Sequence, residues 1–249
     1  MKKTQFINLI NQQIIVSCQA VDQEPLNDVR AITLVARSVL EGGAQVLRLS
    51  QVEHIRAIQA ISPYPVIGLI KKYYPDSEVF ITATKTEVQQ LLDLGVDCIA
   101  LDATLRKRPH NEQLSDLVNF IRQTSPQTLI MADCASLADV IQANELDFDF
   151  IGTTLRGYTA ETKGMSNIEN DYQFIRDCLE HINKPLIAEG GFWEHDDIFN
   201  ALQLGALAVV VGSAITRPKD ITQRYFKQLQ MRKDCHEASV KTISSKTNQ

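Results

Sequence analysis

Two ionisable side chains stand directly after short apolar runs of this chain. Lys71 follows Val66–Ile70, and Glu189 follows Leu186–Ala188. A lysine accepts a proton when burial or a nearby cation lowers its pKa, and a carboxyl group can donate or accept one. If both runs are strands that end at the same side of a sheet, the two residues predict general acid–base chemistry.

Each of these residues also fits a plainer structural role. Lys71 can be a solvated charge on the rim, as is expected for its neighbour Lys72. Glu189 can form a salt bridge to Arg48 or to Lys71. Other runs end in further polar residues, which together suit a polar sugar better than an apolar ligand: Gln19, Arg48, Asp102, Asp133 and Thr153.

Two small-residue pairs follow the last two apolar runs. Gly190-Gly191 comes directly after Glu189, and Gly212-Ser213 ends the final run, with Arg217 a few residues further on. Glycine lets backbone N–H groups approach an anion closely, and an arginine adds charge-assisted hydrogen bonds. The pairs predict a phosphate site, although each alone would also fit a tight turn.

The elements that must position these residues are nine short apolar runs, most of them separated by segments with helical apolar spacing. Such alternation predicts an α/β fold with a parallel sheet, and eight units close into a (β/α)8 TIM barrel of the phosphate-binding type. One run must therefore lie outside the barrel, and Phe80–Thr82 is the shortest. The nine runs are Ile14–Ser17, Val46–Leu49, Val66–Ile70, Phe80–Thr82, Cys98–Leu101, Leu129–Met131, Phe150–Gly152, Leu186–Ala188 and Ala206–Val211.

The bulk composition fits one barrel domain. The chain has 249 residues, is 44% hydrophobic and carries a formal net charge of −5. An acidic balance without a basic face argues against nucleic acid as a partner. We expect a catalytic domain over residues 1–231 and a polar C-terminal tail over 232–249 that is partly disordered.

Cysteine and histidine usage predicts a cytoplasmic protein without a metal. The five cysteines are scattered and form no Cys-x-x-Cys pair, which is typical of reduced thiols, and the five histidines lack metal-ligand spacing. The N-terminus superficially resembles an export signal, but its apolar part is interrupted by Asn8 and Asn11. No apolar stretch reaches the ~20 residues that span a bilayer, so no membrane partner is expected.

Several longer motifs together resemble the N-acetylmannosamine-6-phosphate 2-epimerase family, in order from about Ile14 to Phe226. The motifs are Gly68-Leu69-Ile70-Lys71, Ile99-Ala100-Leu101-Asp102-Ala103-Thr104, Met131-Ala132-Asp133, Ile151-Gly152-Thr153-Thr154-Leu155, Gly157-Tyr158-Thr159, Ile187-Ala188-Glu189-Gly190 and Ala214-Ile215-Thr216-Arg217-Pro218.

The resemblance implies a phosphate-binding barrel of bacterial amino-sugar and sialic acid catabolism. Such enzymes interconvert N-acetylmannosamine 6-phosphate and N-acetylglucosamine 6-phosphate, and no cofactor is implied. By this resemblance Lys71 and Glu189 are catalytic. The implied substrate contacts are Gln19, Arg48, Asp133 and Arg217.

The chain departs from the family pattern at three places. Gly191-Phe192 stands where a basic residue and isoleucine commonly follow Glu-Gly, and this change touches the substrate loop. Ala83 replaces a usual proline, and Ser213 replaces a frequent glycine. The last two changes look tolerable.

The implied chemistry suits the residues. The proton on the carbon to be inverted is acidic only beside a carbonyl, so the sugar must open to its aldehyde form or an equivalent. Proton removal gives an enolate, and return of a proton to the opposite face inverts the centre. Two groups on opposite sides can do this. Whether Lys71 or Glu189 abstracts in a given direction stays open.

Two other hypotheses remain at this stage. The barrel can act on a different sugar phosphate by another reaction, because fold alone does not set function. It can also be a non-catalytic barrel that binds a phosphosugar, with the altered loop at Gly191-Phe192 as the cause. Barrels of this size often pair, so we also expect a homodimer.

Overall fold

The computed structural model describes residues 2–20 and 23–246, with side chains placed as far as residue 234. Eight parallel strands pair in chain order, and β8 closes onto β1. The predicted (β/α)8 barrel is therefore confirmed. The strands are Gln13–Cys18 (β1), Leu47–Ser50 (β2), Val66–Leu69 (β3), Cys98–Asp102 (β4), Leu129–Asp133 (β5), Phe150–Gly152 (β6), Leu186–Glu189 (β7) and Ala208–Val211 (β8).

Helices surround the barrel and alternate with its strands. A 3-10 turn at Pro109–Asn111 lies between β4 and the next helix. The helices in the described part of the chain are Lys3–Ile10 (α1), Val29–Glu41 (α2), Val52–Gln59 (α3), Lys85–Asp93 (α4), Leu114–Thr124 (α5), Leu137–Glu145 (α6), Glu169–His181 (α7), His195–Leu204 (α8), Ser213–Thr216 (α9) and Pro218–Lys246 (α10).

The segment Phe80–Thr82 lies outside the barrel sheet, as predicted from its length. Ile81 instead forms an isolated antiparallel bridge with Lys71. The Thr82 N–H donates to the Ile70 carbonyl over 2.7 Å, and the Lys72 N–H donates to the Phe80 carbonyl over 3.0 Å. The segment thus folds back along the end of β3 and fixes the backbone that carries Lys71.

Helix α1 closes the end of the barrel at which the strands begin. Its apolar residues Phe6 and Ile10 are fully buried among the first interior side chains of the strands. The Phe6 ring lies 5.7 Å from that of Phe150. This short helix occupies Lys3–Ile10, and residue 1 lies outside the described residues.

Strand residues alternate between the barrel interior and the helix layer. On β3, Ile67 and Leu69 pack in the interior cluster with the α1 side chains, whereas Val66 packs in the cluster formed with the helices. Side chains along a strand point to opposite faces with a period of two. The same period directs Lys71, two residues beyond Leu69, toward the mouth of the barrel.

The C-terminal segment is more regular than the sequence led us to expect. Helix α10 runs without interruption from Pro218 to Lys246 and so crosses the boundary expected between residues 231 and 232. Residues 247–249 lie outside the described residues. The division into a barrel domain and a tail stays a prediction.

Four cysteines, Cys18, Cys98, Cys134 and Cys178, are buried and unpaired, whereas the side chain of Cys235 lies outside the described side chains. Burial raises the pKa of Cys18 and of Cys178 to about 12, which keeps both thiols protonated and unreactive. Across the described residues, no helix combines the length and apolar character needed to cross a membrane.

Candidate active site

One cavity of about 460 Å³ opens at the end of the barrel where the strands finish. The carboxyl ends of parallel strands meet at one rim, which is where barrels of this type place functional groups. The cavity lining brings together nearly all of the predicted site residues: Gln19, Arg48, Lys71, Glu189, Gly190, Gly191, Gly212, Ser213 and Arg217. Asp133 is the exception, because it is fully buried behind the lining.

Four side chains at the floor of this cavity form a closed ring. Arg48 Nη2 lies 2.6 Å from Asp133 Oδ2, and Arg48 Nε lies 3.2 Å from Glu189 Oε1. The Thr154 hydroxyl closes the ring, at 2.7 Å from Asp133 Oδ1 and 3.0 Å from Glu189 Oε2. The salt bridge between Glu189 and Arg48 that the sequence allowed is therefore present, inside the cavity.

The electrostatics of the ring favour a carboxyl group that titrates near neutrality. Burial, as the largest cause, raises the pKa of Glu189 to about 7, and the nearby Asp133 carboxylate acts in the same direction. Arg48 and Lys71 oppose this rise. Glu189 can therefore hold or release a proton at physiological pH.

The pKa of Lys71 also lies close to neutrality, but it is lowered from its ordinary value rather than raised. Burial lowers the pKa of its ammonium group to about 8, and the cations Arg217 and Arg48 lower it further than Glu189 and Asp133 raise it. The backbone of Lys71 is held on both sides. Its N–H donates to the Gln51 side-chain oxygen over 3.3 Å, and its carbonyl accepts from the Gln51 amide over 3.1 Å.

The neighbouring lysine behaves differently. Lys72 keeps about 55% of its side chain exposed and lies 3.6 Å from Glu87. Its ammonium group also sits 4.8 Å above the Tyr74 ring. Lys72 is thus the solvated rim charge, and Lys71 is the lysine that faces the cavity.

The loops after β7 and β8 lie side by side at the same mouth. Gly190 and Gly191 have φ angles of +107° and +81°, which favour glycine. A Cβ on Gly190 would also come within 3.1 Å of the Asn167 amide nitrogen. Gly212 directly precedes the short helix α9, and a Cβ there would lie 3.3 Å from the Ser17 Cβ.

Charged groups flank these loops. Arg217 lies 3.4 Å from Glu24 and 3.7 Å from Asp220, and it remains partly exposed to the cavity. The Ser213 hydroxyl donates to Asp220 over 2.9 Å. Arg217 therefore brings a positive charge to the glycine loops, although two carboxylates share it.

Gln19 presents an unused acceptor. Its side-chain nitrogen donates to the Ser17 hydroxyl over 2.9 Å. Its side-chain oxygen is buried, and no hydrogen-bond partner for it occurs among residues 2–20 and 23–246. A buried polar atom without a partner costs free energy, which a ligand that donates a hydrogen bond would recover.

Two other strand-end residues have structural roles. Asp102 accepts from the Thr104 N–H over 3.1 Å and pairs with Arg106 at 2.8 Å, which is the loop-holding role that the sequence also allowed. The Thr153 hydroxyl donates to the Glu189 carbonyl and accepts from the Glu189 N–H, both over 3.0 Å. Thr153 therefore fixes the backbone of β7 at Glu189.

Sequence reasoning missed Thr154 and the aromatic wall of the cavity. Alternation was the available signal for Thr154, because Phe150 faces the interior and every second residue after it must do so. The wall contains Tyr73 stacked on Phe80, with ring centroids 5.6 Å apart, together with Tyr158 and Trp193. These aromatic residues lie in loops, for which periodicity gives no direction.

The donor set does not form a metal centre. Within the described residues, no group of three or more His, Cys, Asp or Glu side chains is placed to hold a metal ion. The carboxylates at the cavity floor, Asp133 and Glu189, are already paired with Arg48.

The fold and the site together define a (β/α)8 barrel whose mouth holds Lys71 and Glu189 in one cavity. The family model described as "Putative N-acetylmannosamine-6-phosphate epimerase" (NanE) matches residues 32–231. The chain belongs to this NanE family, as the resemblance of its motifs predicted.

Relatives match along nearly the whole chain. A protein of Malacoplasma penetrans named "Putative N-acetylmannosamine-6-phosphate 2-epimerase" is 57% identical over 228 residues, which cover 91% of this chain and 99% of the relative. A protein of the same name from Listeria monocytogenes is 45% identical over 87% of this chain and 92% of its own. The solved structure of the N-acetylmannosamine-6-phosphate 2-epimerase from Clostridium perfringens is 39% identical, with a TM-score of 0.84, over 89% of this chain and 95% of that one.

Proposed function

We propose that this protein interconverts N-acetylmannosamine 6-phosphate and N-acetylglucosamine 6-phosphate, with Lys71 and Glu189 as its two acid–base groups. One observation carries the proposal: both groups line one cavity, and burial brings the pKa of each close to neutrality, to about 8 and about 7. The membership in the NanE family supports the substrate and the reaction.

The reaction needs one proton to leave carbon 2 and one to arrive on its other face. In the ring-opened sugar, the C2–H bond breaks, its electron pair forms a C1–C2 double bond, and the carbonyl π pair moves onto the aldehyde oxygen to give an enolate. A proton then adds to C2 from the opposite side and restores the aldehyde. One member of the pair Lys71 and Glu189 takes the first proton, and the other gives the second.

The other lining residues suit the rest of the substrate. We assign the Gln19 side-chain oxygen and the Arg48 guanidinium group to the hydroxyl and N-acetyl groups. The backbone N–H groups of Gly190, Gly191, Gly212 and Ser213, with the Arg217 side chain, are assigned to the phosphate. These assignments are supported by the fact that all of these residues line one cavity.

Asp133 differs from the other assigned residues because it does not line the cavity. Its two carboxylate oxygens already bind Arg48 and Thr154, and its side chain is fully buried. A direct contact with substrate stays a prediction that requires the ring of four side chains to rearrange. Through the 2.6 Å pair, Asp133 also fixes the orientation of Arg48.

The direct test is isotope exchange at carbon 2. Each 6-phosphate is incubated with the protein in deuterated water, and both sugars are examined by NMR. We expect interconversion with deuterium at C2 of the product. Neither label nor interconversion would contradict the proposal, and tight binding without label would favour the non-catalytic binding barrel.

We also propose that this protein forms a homodimer. Helix α10 packs chiefly against the short α9. It leaves four large apolar side chains more than half exposed, Tyr225, Phe226, Leu229 and Met231. Tyr225, Phe226 and Leu229 form an apolar stripe on one face of the helix, whereas Met231 lies on the opposite face. Such a stripe is typical of a surface that another chain covers.

Light scattering during size-exclusion chromatography tests the dimer. We expect about twice the chain mass of 27.9 kDa. Phe226→Glu should halve the measured mass because it places a charge in the apolar stripe. A single-chain mass for the unmodified protein would contradict the dimer and leave the epimerase proposal untouched.

The expected compartment is the cytoplasm. The buried thiols of Cys98 and Cys134, whose pKa values burial raises well above the usual range, suit a reducing environment. Fractionation of cells that make the protein tests this part.

A further inference from the structure

The Thr154 hydroxyl stands between two acidic side chains. Its oxygen lies 2.7 Å from Asp133 Oδ1 and 3.0 Å from Glu189 Oε2. A hydroxyl group has one proton to donate and lone pairs that accept. It cannot donate to both carboxylates at once, so the three oxygen atoms need a second proton to form two hydrogen bonds.

Protonation of Glu189 supplies that second proton. In the protonated state, the Glu189 carboxyl group donates to Thr154, and Thr154 donates to Asp133. In the ionised state, Thr154 can donate to Glu189, but its lone pairs then face Asp133 Oδ1. Arg48 pairs with the other oxygen of each acid in both states, at 2.6 Å and 3.2 Å.

We propose that Thr154 is a positioning residue that couples proton gain and loss at Glu189 to Asp133 and so sets the pH at which Glu189 changes state. The proposal rests on the proposed acid–base role of Glu189. It assigns to the hydroxyl a function beyond holding the loop, because each direction of its hydrogen bond matches one protonation state of the acid.

The backbone of Glu189 does not depend on Thr154. Thr153 holds the Glu189 N–H and carbonyl, each over 3.0 Å. The Asn167 amide donates to the carbonyls of Glu189 and Gly190 over 2.7 Å and 2.9 Å. Loss of the Thr154 hydroxyl should therefore leave β7 in place and change the carboxyl group alone.

Other groups also act on the Glu189 carboxyl from the packed elements. Arg48 on β2 and Lys71 after β3 favour the ionised form, whereas Asp133 on β5 favours the protonated form. Tyr158, in the loop after β6, interacts with Glu189 as a neutral phenol. Thr154→Val leaves all four of these groups unchanged. A shift in the titration of Glu189 in this variant therefore measures the effect of the Thr154 hydroxyl.

The test compares Thr154→Val with Thr154→Ser. Valine keeps the shape and removes the hydroxyl, and serine keeps the hydroxyl and removes the methyl group. The readout is kcat/KM against pH for both substrates. Because both hydrogen bonds of the hydroxyl form only when Glu189 is protonated, we expect Thr154→Val to move the acid limb downward by about one pH unit. KM at the optimum should stay within about twofold, and Thr154→Ser should restore the limb.

A matched control removes a buried hydroxyl elsewhere. The Thr128 hydroxyl lies 2.8 Å from that of Ser125, before β5 begins and therefore at the opposite end of the barrel. Thr128→Val should leave the acid limb of the pH profile in its original place.

A second measurement does not depend on turnover. In protein with ¹³C-labelled glutamate, the Glu189 carboxyl signal is identified as the one that disappears in Glu189→Gln. The chemical shift of this signal is then followed against pH in the wild type and in Thr154→Val. We expect the midpoint to move downward in the variant. An unmoved midpoint, or a shift as large in Thr154→Ser, would overturn the proposal. These outcomes can be told apart from a failure of the epimerase proposal. That proposal fails only if the wild type itself exchanges no hydrogen at C2.

Discussion

Arg48 and Asp133 stand 85 residues apart in the chain, and their side chains are in contact across the barrel, with Nη2 2.6 Å from Oδ2. Arg48 comes from β2 and Asp133 from β5, and both are almost fully buried. Arg48 also pairs with Glu189 at 3.2 Å. This single cation holds two carboxylates at the cavity floor, and the predictions below depend on the charges that it organises.

The pH dependence of turnover should be bell-shaped and narrow. In the proposed mechanism, the active enzyme carries one proton shared between Glu189 and Lys71, in both directions of the reaction. The profile of kcat/KM should rise as Glu189 ionises at a pH of about 7 and fall as Lys71 loses its proton at about 8. A rate constant that stays flat from pH 5.5 to pH 9.5 would contradict this assignment.

Two adjacent lysines provide a matched pair of variants. Lys71→Ala should lower kcat by ~10²–10⁴-fold, because it removes one of the two proposed acid–base groups. Lys72→Ala should keep near-normal turnover, because Lys72 is exposed and pairs with Glu87 on the rim. Steady-state kinetics on both substrates measure the difference. Equal losses in the two variants would place the cause in the loop rather than in the proton transfer.

Replacement of Glu189 should change stability in a pH-dependent way. Its folded pKa of about 7 lies above the ordinary value of 4.5, so the folded state binds more protons than the unfolded state between these values. Stability from this group is therefore lost as the pH rises from 4.5 through 7. Glutamine does not titrate, so Glu189→Gln removes this pH-dependent loss of stability.

At pH 8.5 we expect the Glu189→Gln protein to exceed the wild type in unfolding free energy by on the order of 1–3 kcal/mol. The difference should shrink toward pH 5. Urea denaturation at both pH values measures it. A difference that does not depend on pH would mean that Glu189 titrates alike in the folded and unfolded chains.

Arg217 should affect both binding and the alkaline limb of the pH profile. Arg217→Gln removes the proposed phosphate partner, so KM should rise about tenfold or more. It also removes a cation that lowers the pKa of Lys71, so the fall in kcat/KM should move to higher pH. Arg176→Gln is the control, because Arg176 pairs with Asp171 on an exposed surface. An unchanged KM would exclude Arg217 from the substrate site.

Gly152 on β6 should be sensitive to a single added methyl group. A Cβ there would lie 2.5 Å from the Met131 Cε and 3.2 Å from the Thr154 hydroxyl. Gly152→Ala should lower stability by about 1–3 kcal/mol through overpacking, and should lower kcat because Thr154 moves.

Gly95→Ala separates these two effects. Gly95 has a φ of +64° with open space around its Cβ position, so alanine there costs stability by backbone strain alone. We expect reduced thermal stability with unchanged kcat. Normal kcat in Gly152→Ala would show that the Thr154 position tolerates displacement.

The sequence by itself determined the order of the strands and helices, and with it the residues at the rim. Lys71 and Glu189 were recognisable because each follows an apolar run, and parallel strands must end at one side. The family followed from motifs spread over most of the chain. All of these signals are local, because chain spacing alone fixes them.

Only the tertiary structure decided which rim residues meet and in which state of charge. Thr153 and Thr154 are neighbours in sequence, yet one binds the Glu189 backbone and the other its carboxyl group. Lys71 and Lys72 are also neighbours, yet Lys71 lines the cavity whereas Lys72 is exposed beside Glu87. The strand period sets the direction of each side chain, and barrel closure then brings distant strands within hydrogen-bond reach. Burial in that shared space, which no local pattern encodes, shifts the pKa values on which the proposed chemistry depends.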